Sequence, residues 1–449
     1  MSDIFKHIIN QAHILYSRVP LVIKQQRKDI IMRGKRAIFV KLYHVIISIV
    51  LLIPALIGLV LMRLLRPFVL VRFGQLYTAR IGNLVSWVVV YLYECSRSAN
   101  PGTKKIDIFY YSYPICNRQM LLMWRRILRV PRAPFLFNYI RRLNQAIPHH
   151  EKHVILIEQK LIKSEEYYSR MATPILFTAE EEIRGKDMLK KMGILNGSQF
   201  VCFHARDCAY LHNLFPIENF NYHDFRDADV DNYRMMAEKL TERGYFVIRM
   251  GAKVKKPLVT DNPKIIDYAT LYRSDFLDIY LSAKCHFFIG CTSGIDEIPK
   301  LFKRPVLYVN TIPMGEVPVG GVAPLFIPKK LWLKTEKRFL TFCEIFNSKL
   351  SLLSDAQEYQ RIGIEVRENT PEEISALALE MDEILNGNWA VTDEEDELQE
   401  RFKTIYRTFD PRLEVKTRIG REFILRNKEL LRLQSNKVTS MNLGVMPCA

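Results

Sequence analysis

Residues 285–309 read Cys-His-Phe-Phe-Ile-Gly-Cys-Thr-Ser-Gly-Ile-Asp-Glu-Ile-Pro-Lys-Leu-Phe-Lys-Arg-Pro-Val-Leu-Tyr-Val. Residues 286–289 are a short apolar run of the kind that forms a buried parallel strand. Gly290 to Gly294 is a tight turn of small and hydroxyl residues. Ser293, with Asp296 three positions later, has the spacing of a capping box that opens a helix. Lys303 and Arg304 suit a helix C-terminus, and Pro305 stops it. Residues 306–309 read as the next strand. Pro299 sits several residues into the expected helix, so that helix is kinked or starts later than Ser293. A strand–loop–helix of this kind aims backbone N–H groups at one point, and a diphosphate fits there. The same residues also make an ordinary capped connection, so the choice rests on the rest of the chain.

The pattern repeats outward from this stretch. Residues 200–203 form a strand, 229–243 a helix closed by Gly244, 245–250 a strand and 275–283 a helix. Strands alternating with helices predict an α/β fold with a parallel, doubly wound sheet. A weaker alternation precedes it: strand 68–73, loop 74–83, helix 84–93, strand 106–111 and a basic amphipathic helix at 119–128 holding Trp124, Arg125 and Arg126. Thr178 and Glu181 form a capping box for a helix that runs to Met192 and closes at Gly193. The natural architecture is two Rossmann-like halves facing a cleft. The expected organisation is a basic N-terminal region at 1–66, a first domain at 67–195, a second at 196–335 and a helical region at 336–449. In that last region, 371–387 and 394–435 read as helices, and the acidic run 393–400 as a solvated face.

The 449 residues are 49% hydrophobic, enough for a sizeable core and more than one domain. The formal charge of +17 calls for an anionic partner or surface. Eight cysteines are scattered without a C-x-x-C pair, which argues against structural zinc and suits a reducing cytosol. Residues 45–62, VIISIVLLIPALIGLVLM, carry no charge. As a helix they extend about 27 Å, against about 30 Å for a bilayer core. Lys6, Arg18, Lys24, Arg27, Lys28, Arg33, Lys35, Arg36 and Lys41 precede the run, and Arg63, Arg66, Arg72 and Arg80 follow it. Basic flanks on both sides keep both ends cytosolic. Pro54 permits a re-entrant hairpin. Three readings stand: one span, a dipped or in-plane anchor on anionic lipid, and a buried core helix.

In a doubly wound sheet, ligands bind beyond the carboxyl ends of the strands. Those positions hold His204, Arg206, Asp207 and Tyr210 after the strand at 200–203, Gly251 after the strand at 245–250 with Arg249 near that strand's end, and Thr292, Ser293 and Gly294 after the strand at 286–289. His223 and Arg226 lie in a polar loop at the same rim, whereas Asp227 and Asp229 read as helix caps. Arginine forks suit diphosphate oxygens. Neither G-x-x-x-x-G-K-[ST] nor G-x-G-x-x-G is present, so the site is not a standard nucleotide motif. Residues 311–321, with three glycines, read as a cleft border or a plain connection.

The pattern of His204 to Tyr210 with Thr292–Ser293–Gly294 resembles GT-B glycosyltransferases. A bacterial family of cell-surface polysaccharide glycosyltransferases is closer, through H-x-R-D-x-x-Y at 204–210, H-x-F-R-[DN]-A at 223–228, R-M-G at 249–251 and T-S-G at 292–294. The resemblance spans roughly residues 65–435. It implies sugar transfer from a nucleotide sugar to a lipid-linked or glycan acceptor, with no obligatory metal and no cofactor beyond that donor. Arg206, Arg249 and Thr292–Gly294 then neutralise the leaving diphosphate, with His204, Tyr210, Arg226 and Gly251 beside them. Glu297 holds a ribose or sugar hydroxyl, Asp207 or His223 is the base, and Arg80, Asn83 and Asn117 line the acceptor side. The setting implied is the cytoplasmic face of the cell membrane. A nucleotide-sugar epimerase on the same fold and a non-catalytic membrane-bound glycan- or nucleotide-binding subunit are the alternatives. Nucleic-acid binding is disfavoured, because the positive charge concentrates near the apolar segment.

Overall fold

The computed structural model describes residues 35–97, 104–155, 164–214, 221–316, 324–410 and 415–432. The basic stretch ahead of Lys35 and residues 317–321 of the 311–321 loop, with two of its three glycines, lie outside the described residues; the third, Gly315, is buried. The chain divides into two compact units interleaved in sequence. The first takes residues 1–80, 94–116 and 121–159, and the second takes 81–93, 117–120 and 160–449. The expected boundaries at 195 and 335 do not coincide with this division.

In the first unit, β1 (Leu70–Leu76) pairs in parallel with β2 (Lys105–Tyr111), and Val154 bridges to Phe73. Gly74 lies within β1, not in the loop expected there; a Cβ at that position would fall 2.5 Å from the Phe109 ring on β2, so the close pairing needs a glycine. A doubly wound Rossmann sheet is not what the described residues of this unit form: its sheet has two strands. One helix, Lys35–Leu65, runs through Pro54 without breaking, so the re-entrant hairpin is not present. A proline removes one helical hydrogen bond and kinks a helix more often than it ends one in the middle of an apolar run. Ala55, Leu59 and Met62, spaced i, i+4, i+7, are buried in a cluster with Ile140 of helix Pro134–Gln145. The other face of the helix is uncovered: Ile49, Val50, Ile53 and Leu64 are each about two-thirds exposed. Among the described residues, no helix is long and apolar enough to cross a membrane.

The second unit holds β3 (Phe200–Phe203), β4 (Phe246–Arg249), β5 (Ile265–Ile266), β6 (Phe288–Gly290), β7 (Val306–Thr311), β8 (Leu325–Pro328), β9 (Lys330–Leu333), β10 (Arg338–Phe339), β11 (Ile364–Arg367) and β12 (Arg418–Ile419). Seven of these make one sheet in the order β12-β8-β7-β6-β3-β4-β5, and every neighbouring pair is parallel. Its central strands β3, β6, β7 and β8 are buried along their whole length, which is why they read as unbroken apolar runs. β9, β10 and β11 form a small antiparallel sheet. From β3 the chain winds one way through β4 and β5, then returns to β3's other side with β6 and winds the opposite way through β7 and β8. The order therefore reverses between β3 and β6. That is the topological switch point of the sheet, where the strand ends diverge and leave a crevice.

Two expected helices differ from the structure. The segment at 394–435 is helix Asp393–Phe409, then β12, then helix Arg421–Arg426. Within the acidic run, Glu395 is fully buried between Arg418 and Arg421, so that face is not wholly solvated. The helix after β6 opens as a 3-10 turn at Gly294–Asp296, and its α-helical part is only Glu297–Leu301. Pro299 accounts for its brevity.

Candidate anion site at the switch point

The crevice residues come from four strand ends and one loop of the second unit. Beyond β6, Gly290 must be a glycine, because a Cβ there would fall 2.8 Å from the carboxyl carbon of Asp296. Asp296 is buried beneath the turn. It accepts the Ser293 amide at 2.6 Å and the Ser293 hydroxyl at 3.2 Å, completing the capping box. Burial pushes its carboxyl up to about 7. Thr292 holds φ +53°, a left-handed conformation that costs a β-branched residue energy and is kept where the surroundings over-determine it. Its carbonyl accepts a hydrogen bond from Arg226 Nη2.

Beyond β3, His204 Nδ1 lies 3.2 Å from Ser293 Oγ and 3.5 Å from Cys291 Sγ. The Cys–His contact resembles a nucleophilic pair, but both groups shift the wrong way for one. Desolvation, aided by Arg206 and Arg249, brings His204 down to about 3, so the ring is neutral. Desolvation and the Asp296 charge bring the Cys291 thiol up to about 12, so it is not a thiolate. The neutral ring donates to or accepts from Ser293 and takes no proton at neutral pH.

The cations gather on the other side. Arg206 Nη1 donates to the His223 carbonyl at 3.1 Å and to Asp227 Oδ1 at 3.2 Å. The Ala228 amide returns a bond to the Arg206 carbonyl at 2.8 Å, tying the 221–229 loop to β3's end. Arg226 is lowered by burial and by the charge of Arg206, which records two guanidiniums drawn towards one place. Its Nε has no hydrogen-bond partner among the described residues. Lys329, directly after β8, donates from Nζ to the Asp227 carbonyl at 2.5 Å and is 4% exposed. Asp227 is pushed up to about 6, first by burial, with Arg206 opposing and Asp224 and Asp207 adding. Asp227 thus holds Arg206 through its carboxylate and Lys329 through its carbonyl, with Arg226 close enough to Arg206 to feel its charge. Like cations are held together at this cost where a polyanion is expected.

A second backbone joins this edge. Residues 81–93 of helix Ile81–Arg97 belong to the same unit, and Gly82 abuts Gly294: a Cβ on Gly82 would fall 2.8 Å from Gly294 Cα. Asn83, partly exposed, follows on that helix.

The structure thus brings together His204, Arg206, His223, Arg226, Thr292, Ser293 and Gly294. Several expected site residues are placed differently. Arg249 is 1% exposed, and its Nη1 donates to Asp267 at 3.4 Å and to the Lys256 carbonyl at 2.8 Å, so it braces the end of β4 from within the core. Gly251 is buried, and a Cβ there would fall 2.8 Å from Val254. Asp207 accepts the amides of Ala209 at 2.9 Å and Lys255 at 2.8 Å, so each of its oxygens fixes a loop. Glu297 is taken by Tyr168 Oη at 2.6 Å and Lys300 Nζ at 2.7 Å, not by an open hydroxyl site. Asn117 is buried, caps the following helix by accepting the Met120 amide and donates to the Asp275 carbonyl at 2.9 Å. Tyr210 lies partly exposed on helix Ala209–Leu214. The His223 ring lies tilted against the Tyr222 ring at 4.0 Å, and its carbonyl accepts from Arg206. Arg80 belongs to the first unit. Asp227 and Lys329 were not expected: Asp229 caps the helix at Asp231, which leaves Asp227 free for Arg206, and Lys329 follows a short apolar strand that the sequence reading did not assign. Among the described residues, no group of three His, Cys, Asp or Glu side chains is arranged to hold a metal ion.

No protein-family model matches the sequence, and no curated protein matches it. Solved structures do. ADP-heptose lipopolysaccharide heptosyltransferase II of E. coli is 13% identical, with 57% of this chain and 90% of that chain covered at a TM-score of 0.36. A family 9 glycosyl transferase from Veillonella parvula DSM 2008 is 9% identical, with 57% and 86% covered at 0.36. E. coli heptosyltransferase WaaC with ADP is 10% identical, with 53% and 87% covered at 0.27. At identities and scores this low, these likenesses decide neither the fold nor the function of this chain.

Proposed function

We propose that this protein is a GT-B-type glycosyltransferase that moves a sugar from a nucleotide-sugar donor to a lipid-linked or glycan acceptor of a cell-surface polysaccharide. The observation that carries the reading is the cation cluster of Arg206, Arg226 and Lys329 facing the Thr292–Gly294 turn at the switch point of a parallel sheet. In sugar transfer the largest developing charge is on the leaving diphosphate. Guanidinium forks match its oxygens bidentately, and the turn's backbone adds N–H donors. This supplies the neutralisation that a divalent metal supplies elsewhere, and the reading is therefore of a metal-independent enzyme. The neutral His204 is a hydrogen-bonding group of the donor pocket. With Asp207 committed to two loop amides, His223 is the base candidate that remains of the original pair.

The reading places the enzyme at the cytoplasmic face of the cell membrane, where nucleotide sugars meet lipid-linked acceptors. The support is the uncovered face of helix Lys35–Leu65, where Ile53, Ile57, Val60, Leu61 and Leu64 are each more than half exposed. A water-facing helix is polar on that side. The proposed contact is in-plane, with the Ala55–Met62 face on protein and the opposite face on acyl chains.

The test is release of nucleoside diphosphate from a panel of nucleotide sugars, with and without membrane extract as acceptor source. The expected result is turnover of at least one donor that Arg206→Ala abolishes. If no nucleotide sugar binds or turns over, the reading fails.

A further inference from the structure

We infer that Lys329 is a third cationic ligand of the donor's diphosphate, held in place by Asp227 until the anion arrives. The inference rests on the donor-site reading above. Lys329 stands at a strand's carboxyl end like the other site residues, directly after β8. An ammonium has three N–H donors. The structure gives Lys329 Nζ one acceptor among the described residues, the Asp227 carbonyl, although the side chain is 4% exposed. An almost buried ammonium with unspent donors is costly unless something else receives them. The Asp227 side chain meanwhile holds Arg206. Asp227 thus binds one cation through its carboxylate and another through its carbonyl, both close enough to Cys291, at the head of the turn that Arg226 touches, to interact with it. An incoming diphosphate takes the donors that Asp227 leaves unspent.

Lys329 differs from the arginines in being able to lose its charge. Burial brings it down to about 8, with Glu368, Asp227 and Cys291 opposing that fall and Arg206 adding to it. Cys291 stays a neutral thiol in this range. The sign follows: Lys329 is charged below about 8 and neutral above it, so anion affinity falls as the pH rises through that value. The terminal phosphate of a nucleoside diphosphate loses its last proton at roughly pH 6, and what remains of that titration raises affinity with pH, opposite to the expected fall; pyrophosphate titrates higher and is compared at pH 7 only.

The experiment is calorimetry on the full chain with ADP, GDP, UDP and inorganic pyrophosphate as probes, at pH 7 and pH 9. Lys329→Met is expected to weaken binding at pH 7 by at least about tenfold, the effect of losing a charge-assisted contact. Lys329→Arg keeps its charge, so it should bind well at pH 7 and lose the decline towards pH 9 that the wild type shows. A buried lysine that merely packs would not move that pH profile. Wild-type binding with Lys329→Met unchanged, or the same decline in Lys329→Arg, overturns this inference and leaves the donor site standing. A wild type that binds none of the four probes overturns both.

Discussion

Asp227 and Asp207 lie twenty residues apart, and the sequence presents them alike, as acids in polar loops near a strand end. Their surroundings separate them. Asp207 satisfies two backbone amides and behaves as a loop clasp. Its replacement by Ala should lower stability by about 0.5–2 kcal/mol, as for other side-chain caps, while turnover per folded molecule stays within a few-fold. Urea unfolding beside a donor-turnover assay checks both, and a collapse of turnover with intact stability would reinstate it as a base. Arg206 is the contrasting case. Arg206→Ala should weaken nucleoside diphosphate binding about tenfold or more with the fold intact, measured by calorimetry and circular dichroism. Asp296 carries a pH signature. Its ordinary value is 3.8 and burial brings it to about 7, so the folded state holds the proton more tightly than the unfolded chain. Its contribution is full below about 4 and lost as the pH rises through about 7. Asp296→Asn should flatten the fall in melting temperature across that interval, and an unchanged slope would deny the carboxyl this role. Residues that directly follow an apolar run, such as His204, Arg206 and Ser293, were legible because the run marks the strand end. Arg249 follows one too and misled, since its partner Asp267 is eighteen residues on and nothing local announces the pair. Lys329 was missed because the short apolar run ahead of it, Leu325–Pro328, follows a glycine- and proline-rich stretch and was not read as a strand.

At the scale of elements, the argument for the anion site changes its footing. The sequence suggested a helix N-terminus as the source of positive potential. The helix after β6 is a 3-10 turn and five α-helical residues, too short for a macrodipole to carry the site, so side-chain cations do. What the turn contributes is closeness. Gly82 and Gly294 let two backbones meet, and neither can move aside for a methyl group. Gly82→Ala should therefore cost about 1–3 kcal/mol of stability and weaken diphosphate binding through the Thr292–Gly294 turn. A fully stable variant with wild-type affinity would show that the contact is incidental. Strands β3, β4, β6 and β7 fell close to where the apolar runs place them, because a parallel strand buried on both faces has no polar positions to confuse the pattern. The two-residue β5 and β12 owe their existence to neighbours in the sheet, and no local pattern specifies them.

At the scale of the whole molecule, the chain combines a polar crevice in one unit with an apolar helix face in the other. The lipid contact is testable without disturbing the core. Replacing Ile53, Ile57 and Leu64 together by Ser touches only exposed side chains. The triple variant should lose sedimentation with anionic vesicles while keeping its melting temperature and donor affinity. Retained sedimentation would remove the lipid assignment, and a dimer that the variant dissolves would assign the face to a second copy. The central claim concerns the crevice, and a crystal structure of the full chain with a bound nucleoside diphosphate tests it most directly. The diphosphate should lie at the carboxyl ends of β3 and β6, within hydrogen-bond reach of Arg206, Arg226 and the Thr292–Gly294 amides. A diphosphate bound elsewhere, with that crevice empty, would contradict it.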